Sequence, residues 1–278
     1  VLSSRGLGDV YKRQHLYLLK TIELLNSISI IHMDLKHNNV MFDETNGVPI
    51  IIDFGLSYDM KHLDINKYVS EENKPFGIMA PYYMPWCIEI ILLSHIANDI
   101  SSKDRHVQEE KLSKQFNEVS KYQEICKTYI KKHVLLDAIC NEEEKRTFEA
   151  TLMEWVKSWN GKTWREIWTI ITNSHKTWDN YSLSMMYVME LEISGLLHLQ
   201  KSESSFIKKY IDILKKTIIC KPSERPMPNV IHSELYSIFT KTKKEDYKET
   251  IKKLIPLIKK NNKEIQDKRN KIDLKTLQ

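Results

Sequence analysis

The sequence predicts a mainly α-helical chain with one small β-hairpin, and three observations carry that prediction. Apolar residues recur at spacings near three and four over most of the chain, which is the helical period. Two short runs, Val40–Phe42 and Ile50–Ile52, flank Asn46-Gly47, a pair that tolerates the positive φ of tight hairpins. Asn160-Gly161 followed by Thr163-x-x-Glu166 reads as a helix stop and a capping box that starts the next helix.

Residues 1–14 stand apart. Ser4–Gln14 resembles the translation of a transposon adapter used in sequencing libraries, so this segment is set aside as non-native and genuine sequence is expected from His15. His15–Ser27 carries Leu16, Leu19, Ile22 and Leu25 at helical spacing, and Ile28–His32 leads into a short polar turn. Leu56–Met84 has no sustained period and reads as a long loop. From about Ile88 to Thr177 the chain is expected to be mostly helix, with Leu112, Phe116, Val119, Cys126 and Ile130 in one periodic series. Trp155/Trp159 and Trp164/Trp168 lie four apart on either side of the 160–163 turn, the pattern of two helices sharing an aromatic core. Asp179–Leu191, Phe206–Cys220 and Pro228–Phe239 are three further helices. The Lys-rich stretch 241–278 reads as a peripheral helical tail.

Composition narrows the function. The 42 Lys and Arg against 37 Asp and Glu leave a net charge of only +5, and no basic stripe interleaves with aromatics. Nucleic-acid binding through a basic groove is therefore not expected. Apolar runs such as Ile88–Leu93 are too short to span a bilayer, so no membrane partner is expected. The four cysteines, Cys87, Cys126, Cys140 and Cys220, share no metal-ligand spacing and read as reduced thiols of a cytoplasmic protein. No signal sets an oligomeric state.

The chemistry concentrates in His32-Met33-Asp34-Leu35-Lys36-His37-Asn38-Asn39 and in Asp53-Phe54-Gly55, with Asp53 nineteen positions after Asp34. Phosphoryl transfer from ATP needs few protein groups. A carboxylate must orient the attacking hydroxyl, a cation must offset charge, and hard oxygen ligands must hold Mg²⁺ on the phosphates. Asp34 supplies the base and Lys36 the cation at the phosphates. Asn39 and Asp53 supply the metal ligands and so the hold on ATP, and the hairpin returns Asp53 beside Asn39.

These residues resemble the catalytic-loop and metal-binding motifs of the protein kinase family. The resemblance covers His15 to about Phe239 and implies a protein-kinase-like C-terminal lobe, with the N-terminal lobe absent from the sequence as it stands. It implies ATP and Mg²⁺ as cofactors and a protein substrate with a Ser or Thr acceptor, a preference associated with Lys36. Pro81–Glu89 resembles the end of an activation segment, with a Pro85-Trp86-Cys87-Ile88-Glu89 form similar to kinases of large DNA viruses, which would place the protein in a host cytoplasm. Asp179 resembles the helix residue that braces the catalytic loop, and Arg225 the arginine that pairs with Glu89. His32, Phe54 and Gly55 are implied as structural support.

Departures from the family pattern carry expectations too. Met33 stands where the family has an Arg that reads a phosphorylated loop, which leaves Ser57, Tyr68 and Ser70 as candidate regulatory sites. Ninety positions separate Glu89 from Asp179, so about 90–177 is expected to be a helical insertion, while Leu191–Ser205 is short. A Gly-rich loop and its lysine would precede His15, so the chain alone is expected to be inactive, with an apolar upper face. A pseudokinase scaffold and a small-molecule phosphotransferase are the competing readings. Asp34, Asn39 and Asp53 count against the first, and Lys36 with Asp53-Phe54-Gly55 counts against the second.

Overall fold

The computed structural model describes residues 6–43, 45–65, 76–199 and 206–241. Tyr68, Ser70, the end of the Leu191–Ser205 stretch and the tail past Lys241 lie outside them. The described chain is mainly helical, with ten α-helices and two small two-stranded antiparallel sheets among the described residues.

Helix α1 (Gly6–Ser27) runs unbroken through the position where genuine sequence was expected to begin. It buries Leu18, Leu19 and Ile22 and packs on α10 (Pro228–Lys241). Strand β1 (Ile30–Ile31) follows, then a 3₁₀ turn at His37–Asn39. Strands β2 (Val40–Asp43) and β3 (Val48–Ile51) form the expected hairpin, in register Val40↔Ile51 through Asp43↔Val48. Asp43 Oδ1 accepts from the amides of Thr45 and Asn46, and Gly47 takes φ +69°, so an Asx turn and a glycine close the loop together.

The stretch expected as a loop from Leu56 contains a strand. Strand β4 (Tyr58–Asp59) pairs with β1, Ile31 opposite Tyr58. Two residues are too few to show a period, so the pairing left no sequence signal.

The long helical region resolves into α2 (Ile88–Ile100), α3 (Arg105–Ser113), α4 (Val119–Lys132), α5 (Leu136–Ile139), α6 (Glu142–Lys157) and α7 (Trp164–Thr172). The periodic series through Phe116 spans a break between α3 and α4. There the Phe116 amide donates to Lys162 O at 2.8 Å, and the Trp164 amide donates to Lys114 O at 3.2 Å. The Thr163–Glu166 capping box is present, and Gly161 takes φ +78° as the stop requires. Asn141 and Glu144 form a second such box at the start of α6. The aromatic core is divided differently from the expectation. Trp155, Trp159 and Trp164 group with Phe116 and Tyr122, whereas Trp168 packs edge-on against Phe76, which also meets Trp178.

Helix α8 (Trp178–Ile193) is buried on almost every face, so it forms the axis of the core. It packs on α9 (Phe206–Ile218) and α1. Tyr17 and Leu24 of α1, Ile28 just after it, and Met41, Phe42 and Ile50 of the hairpin stay exposed.

Two buried histidines make stability pH-dependent. His15 stacks on Tyr187 at 3.9 Å and bonds Tyr210 Oη at 2.7 Å; burial, then the nearby His232, lowers its pKa to about 3. His133 meets Tyr181 Oη at 2.8 Å, and burial lowers its pKa to about 4. As pH falls below the ordinary 6.5, the unfolded chain takes up these protons first. The stabilising contribution is therefore full above pH 6.5 and is lost toward the folded values. Denaturant titration at pH 7 and pH 5 should show a loss of about 2 kcal/mol per histidine. An unchanged midpoint would mean that the rings are not held neutral.

Candidate phosphoryl-transfer site

The site is built where the segment after β1, the 3₁₀ turn and the end of β3 meet the start of α8. The backbone of residues 32–34 is accounted for bond by bond. Asp179, in the first turn of α8, accepts from the amides of His32 at 2.7 Å and Met33 at 3.0 Å. Trp86 Nε1 donates to Met33 O at 2.8 Å, and Asn39 Nδ2 donates to Asp34 O at 2.8 Å. These bonds hold Met33 at φ +62°, a conformation that costs a non-glycine residue energy and clusters at functional sites. Burial raises the Asp179 pKa, and the two amide donors oppose that shift.

Asp34 is buried, with both carboxylate oxygens engaged. Oδ2 accepts from Asn39 Nδ2 at 2.8 Å. Oδ1 lies 3.1 Å from Lys36 Nζ and accepts from the Tyr83 hydroxyl. Lys36 Nζ in turn donates to Tyr83 Oη at 2.8 Å. The role of Tyr83 had no sequence signal, because it lies 49 positions downstream in a stretch without a period.

Asp53 follows directly on from the hairpin. The Ile52 amide donates to Asn39 O at 2.9 Å, so the hairpin register brings Asp53 to the Asn39 end of the loop. Asp53 is exposed, holds φ +61° and accepts the Gly55 amide on Oδ1 at 3.3 Å. A Cβ at Gly55 would stand 3.2 Å from that same oxygen, which gives the glycine a local reason. Phe54 is half exposed and meets the His32 ring edge-on at 4.8 Å. His32 itself is buried. Its Nε2 bonds Ile52 O at 3.0 Å and its Nδ1 accepts the Asp34 amide at 3.2 Å, so it ties loop to hairpin.

The donor set suits a hard cation. With Nδ2 turned to Asp34, Asn39 directs Oδ1 the other way, and Asp53 contributes carboxylate oxygens. Oxygen-only donors of this kind fit Mg²⁺. Among the described residues no group of three or more His, Cys, Asp or Glu side chains forms a metal cluster. The thiols do not compete as nucleophiles, because burial pushes Cys126 to about 12 and Cys140 and Cys220 to about 11.

Glu89 and Arg225 form a buried bidentate pair. Arg225 Nη1 donates to Glu89 Oε1, and Nη2 donates to Oε2 at 2.8 Å. Nε of Arg225 reaches Thr217 O at 3.2 Å, and Ser174 Oγ adds a bond to Glu89 at 3.2 Å. Asp34, Lys36, Asn39, Asp53, His32, Phe54 and Gly55 thus share one locus, with Asp179 bonded to its backbone and the Glu89–Arg225 pair in the core. No helix among the described residues is long and apolar enough to cross a membrane. No family model, no curated protein and no solved structure matches the chain.

Proposed function

We propose that the chain carries the phosphoryl-transfer site of a Ser/Thr protein kinase C-terminal lobe, which moves the γ-phosphoryl of ATP to a hydroxyl on a protein substrate. One observation carries the reading. A buried carboxylate, Asp34, has a cation 3.1 Å from one oxygen and a side-chain amide 2.8 Å from the other, with Asp53 delivered to the same end by the hairpin. In this reading Asp34 orients the acceptor hydroxyl and takes its proton. Lys36 offsets charge on the transferred group. Asn39 and Asp53 would hold Mg²⁺, which when bound neutralises phosphate charge. Asp179 keeps the loop in its strained conformation, and the preference for Ser or Thr rests on Lys36.

Position 33 carries a buried, uncharged methionine, so a phosphate placed on residues 56–84 finds no cation there.

The test is transfer of label from [γ-³²P]ATP by the full-length gene product to a mixed protein substrate, with phosphoamino-acid analysis. Label on serine or threonine that depends on Mg²⁺ is expected. Absence of label in any protein hydroxyl would overturn the reading.

A further inference from the structure

We propose that Tyr83 stands in the acceptor position: its phenol takes the place of the substrate hydroxyl at Asp34 Oδ1, and an acceptor reaches that oxygen only by displacing it. The inference rests on the phosphoryl-transfer reading and adds to it a residue that sets which acceptors react.

A lone-pair count carries it. A carboxylate oxygen offers two acceptor sites. At Asp34 Oδ1 both are taken, by Lys36 Nζ at 3.1 Å and by the Tyr83 hydroxyl. Asp34 is 6% exposed, so solvent offers no second approach. The phenol also reproduces both contacts an acceptor oxygen would make. It directs its proton to the carboxylate and a lone pair to Lys36 Nζ at 2.8 Å. An incoming hydroxyl that takes Oδ1 must therefore replace one of these two groups, and the phenol is the one with the same chemistry.

The phenol also has somewhere to go. Tyr83 lies between two clefts. One, of about 170 Å³ and open to solvent, is lined by Lys36, Met84, Met185, Met186 and Met189 among others. The other is lined by Tyr82, Lys132 and His133. The Tyr83 backbone is held by its own amide, which donates to Ala80 O at 3.0 Å, and by the Trp86 amide, which donates to Tyr83 O at 2.9 Å, so a side-chain rotation suffices. A purely supporting role for Tyr83 is poorly motivated, because Asn39 already fixes Asp34 through its side chain and its carbonyl.

Two measurements test this. In the full-length gene product, Tyr83→Phe should lower KM for a serine peptide about tenfold, equivalent to ~1.4 kcal/mol, with kcat little changed. A raised KM or a collapsed kcat would show a positioning role and overturn the proposal. Separately, the chain labelled with 3-fluorotyrosine is titrated with a serine peptide and with its alanine counterpart. The Tyr83 resonance is assigned by its loss in Tyr83→Phe. The serine peptide should shift that resonance and the alanine peptide should not. Equal shifts, or none, would refute displacement. If the gene product transfers no phosphate at all, the function reading fails; if it transfers and Tyr83→Phe leaves KM unmoved, only this inference fails.

Discussion

Asp34→Asn should lower kcat for transfer to a serine or threonine acceptor by about 100- to 10,000-fold, the usual contribution of a positioned general base. The expected loss has two parts. The amide cannot take the acceptor proton, and it also fits the site badly. Whichever way the new amide turns, its NH₂ faces a donor: Lys36 Nζ at one oxygen position or Asn39 Nδ2 at the other. A buried donor left facing a donor costs about 1–3 kcal/mol, so a modest fall in melting temperature should accompany the kinetic loss. Mg²⁺–ATP binding, which in the proposed reading draws on Asn39 and Asp53, should remain measurable by calorimetry on the full-length gene product. Wild-type turnover in this variant would remove Asp34 from the role of base.

The geometry around Asp34 also explains what the sequence made legible. Asp34, Lys36 and Asn39 lie within six consecutive residues, so the 3₁₀ turn alone brings them together. Asp53 was readable because Asn46-Gly47 marks a return, and a short hairpin leaves few ways to come back. Helix content was readable from period, and the boundary at Thr163 from its capping box. What stayed hidden depends on contacts between distant residues that impose no local pattern. Tyr83 bonds across 49 positions, and β1 pairs with β4 through two residues each. The break around Phe116 is set by backbone bonds to Lys162 and from Trp164, while the apolar spacing passes through it unchanged. Trp168 leaves its neighbours for Phe76 for the same reason, since tertiary packing and not spacing chooses the partner.

Asn141 is an instructive omission. Its capping box with Glu144 is a local signal of the same kind as Thr163 with Glu166, with the glutamate three residues after the N-cap in both, so it was equally open to reading from the sequence. The structure selects Glu144, whose carboxylate also meets Lys215 Nζ at 2.7 Å on α9. That contact links the helical region before Asp179 to the helices after it. Hydrogen bonding to Lys215 and to the Asn141 amide lowers the Glu144 pKa against the opposing effect of burial.

Arg225→Met should destabilise the fold by about 3–5 kcal/mol, because it leaves the Glu89 carboxylate buried without its partner. Glu89 is fully buried, and its neighbours offer little in exchange. Ser174 Oγ gives one hydrogen bond at 3.2 Å, and Cys87 is a thiol that burial keeps protonated. Arg225 also satisfies Thr217 O and Thr177 Oγ1 and lies 5.3 Å from the Tyr181 ring, so α2, α8 and the end of α9 all converge on one guanidinium. For a chain of this size the loss corresponds to a melting temperature lower by about 10 °C. The double variant Glu89→Leu with Arg225→Met separates two explanations. If the cost comes from the stranded charge, adding Glu89→Leu should restore part of the stability, and the two single losses should exceed the double. If the cost comes from the Thr217 and Thr177 bonds, the double variant should be no better than Arg225→Met. The first outcome is expected, since a charge without a partner is the larger penalty in so dry a site. It would make the pair a device that specifies how these three helices meet, with the site at the start of α8 held in place as a consequence.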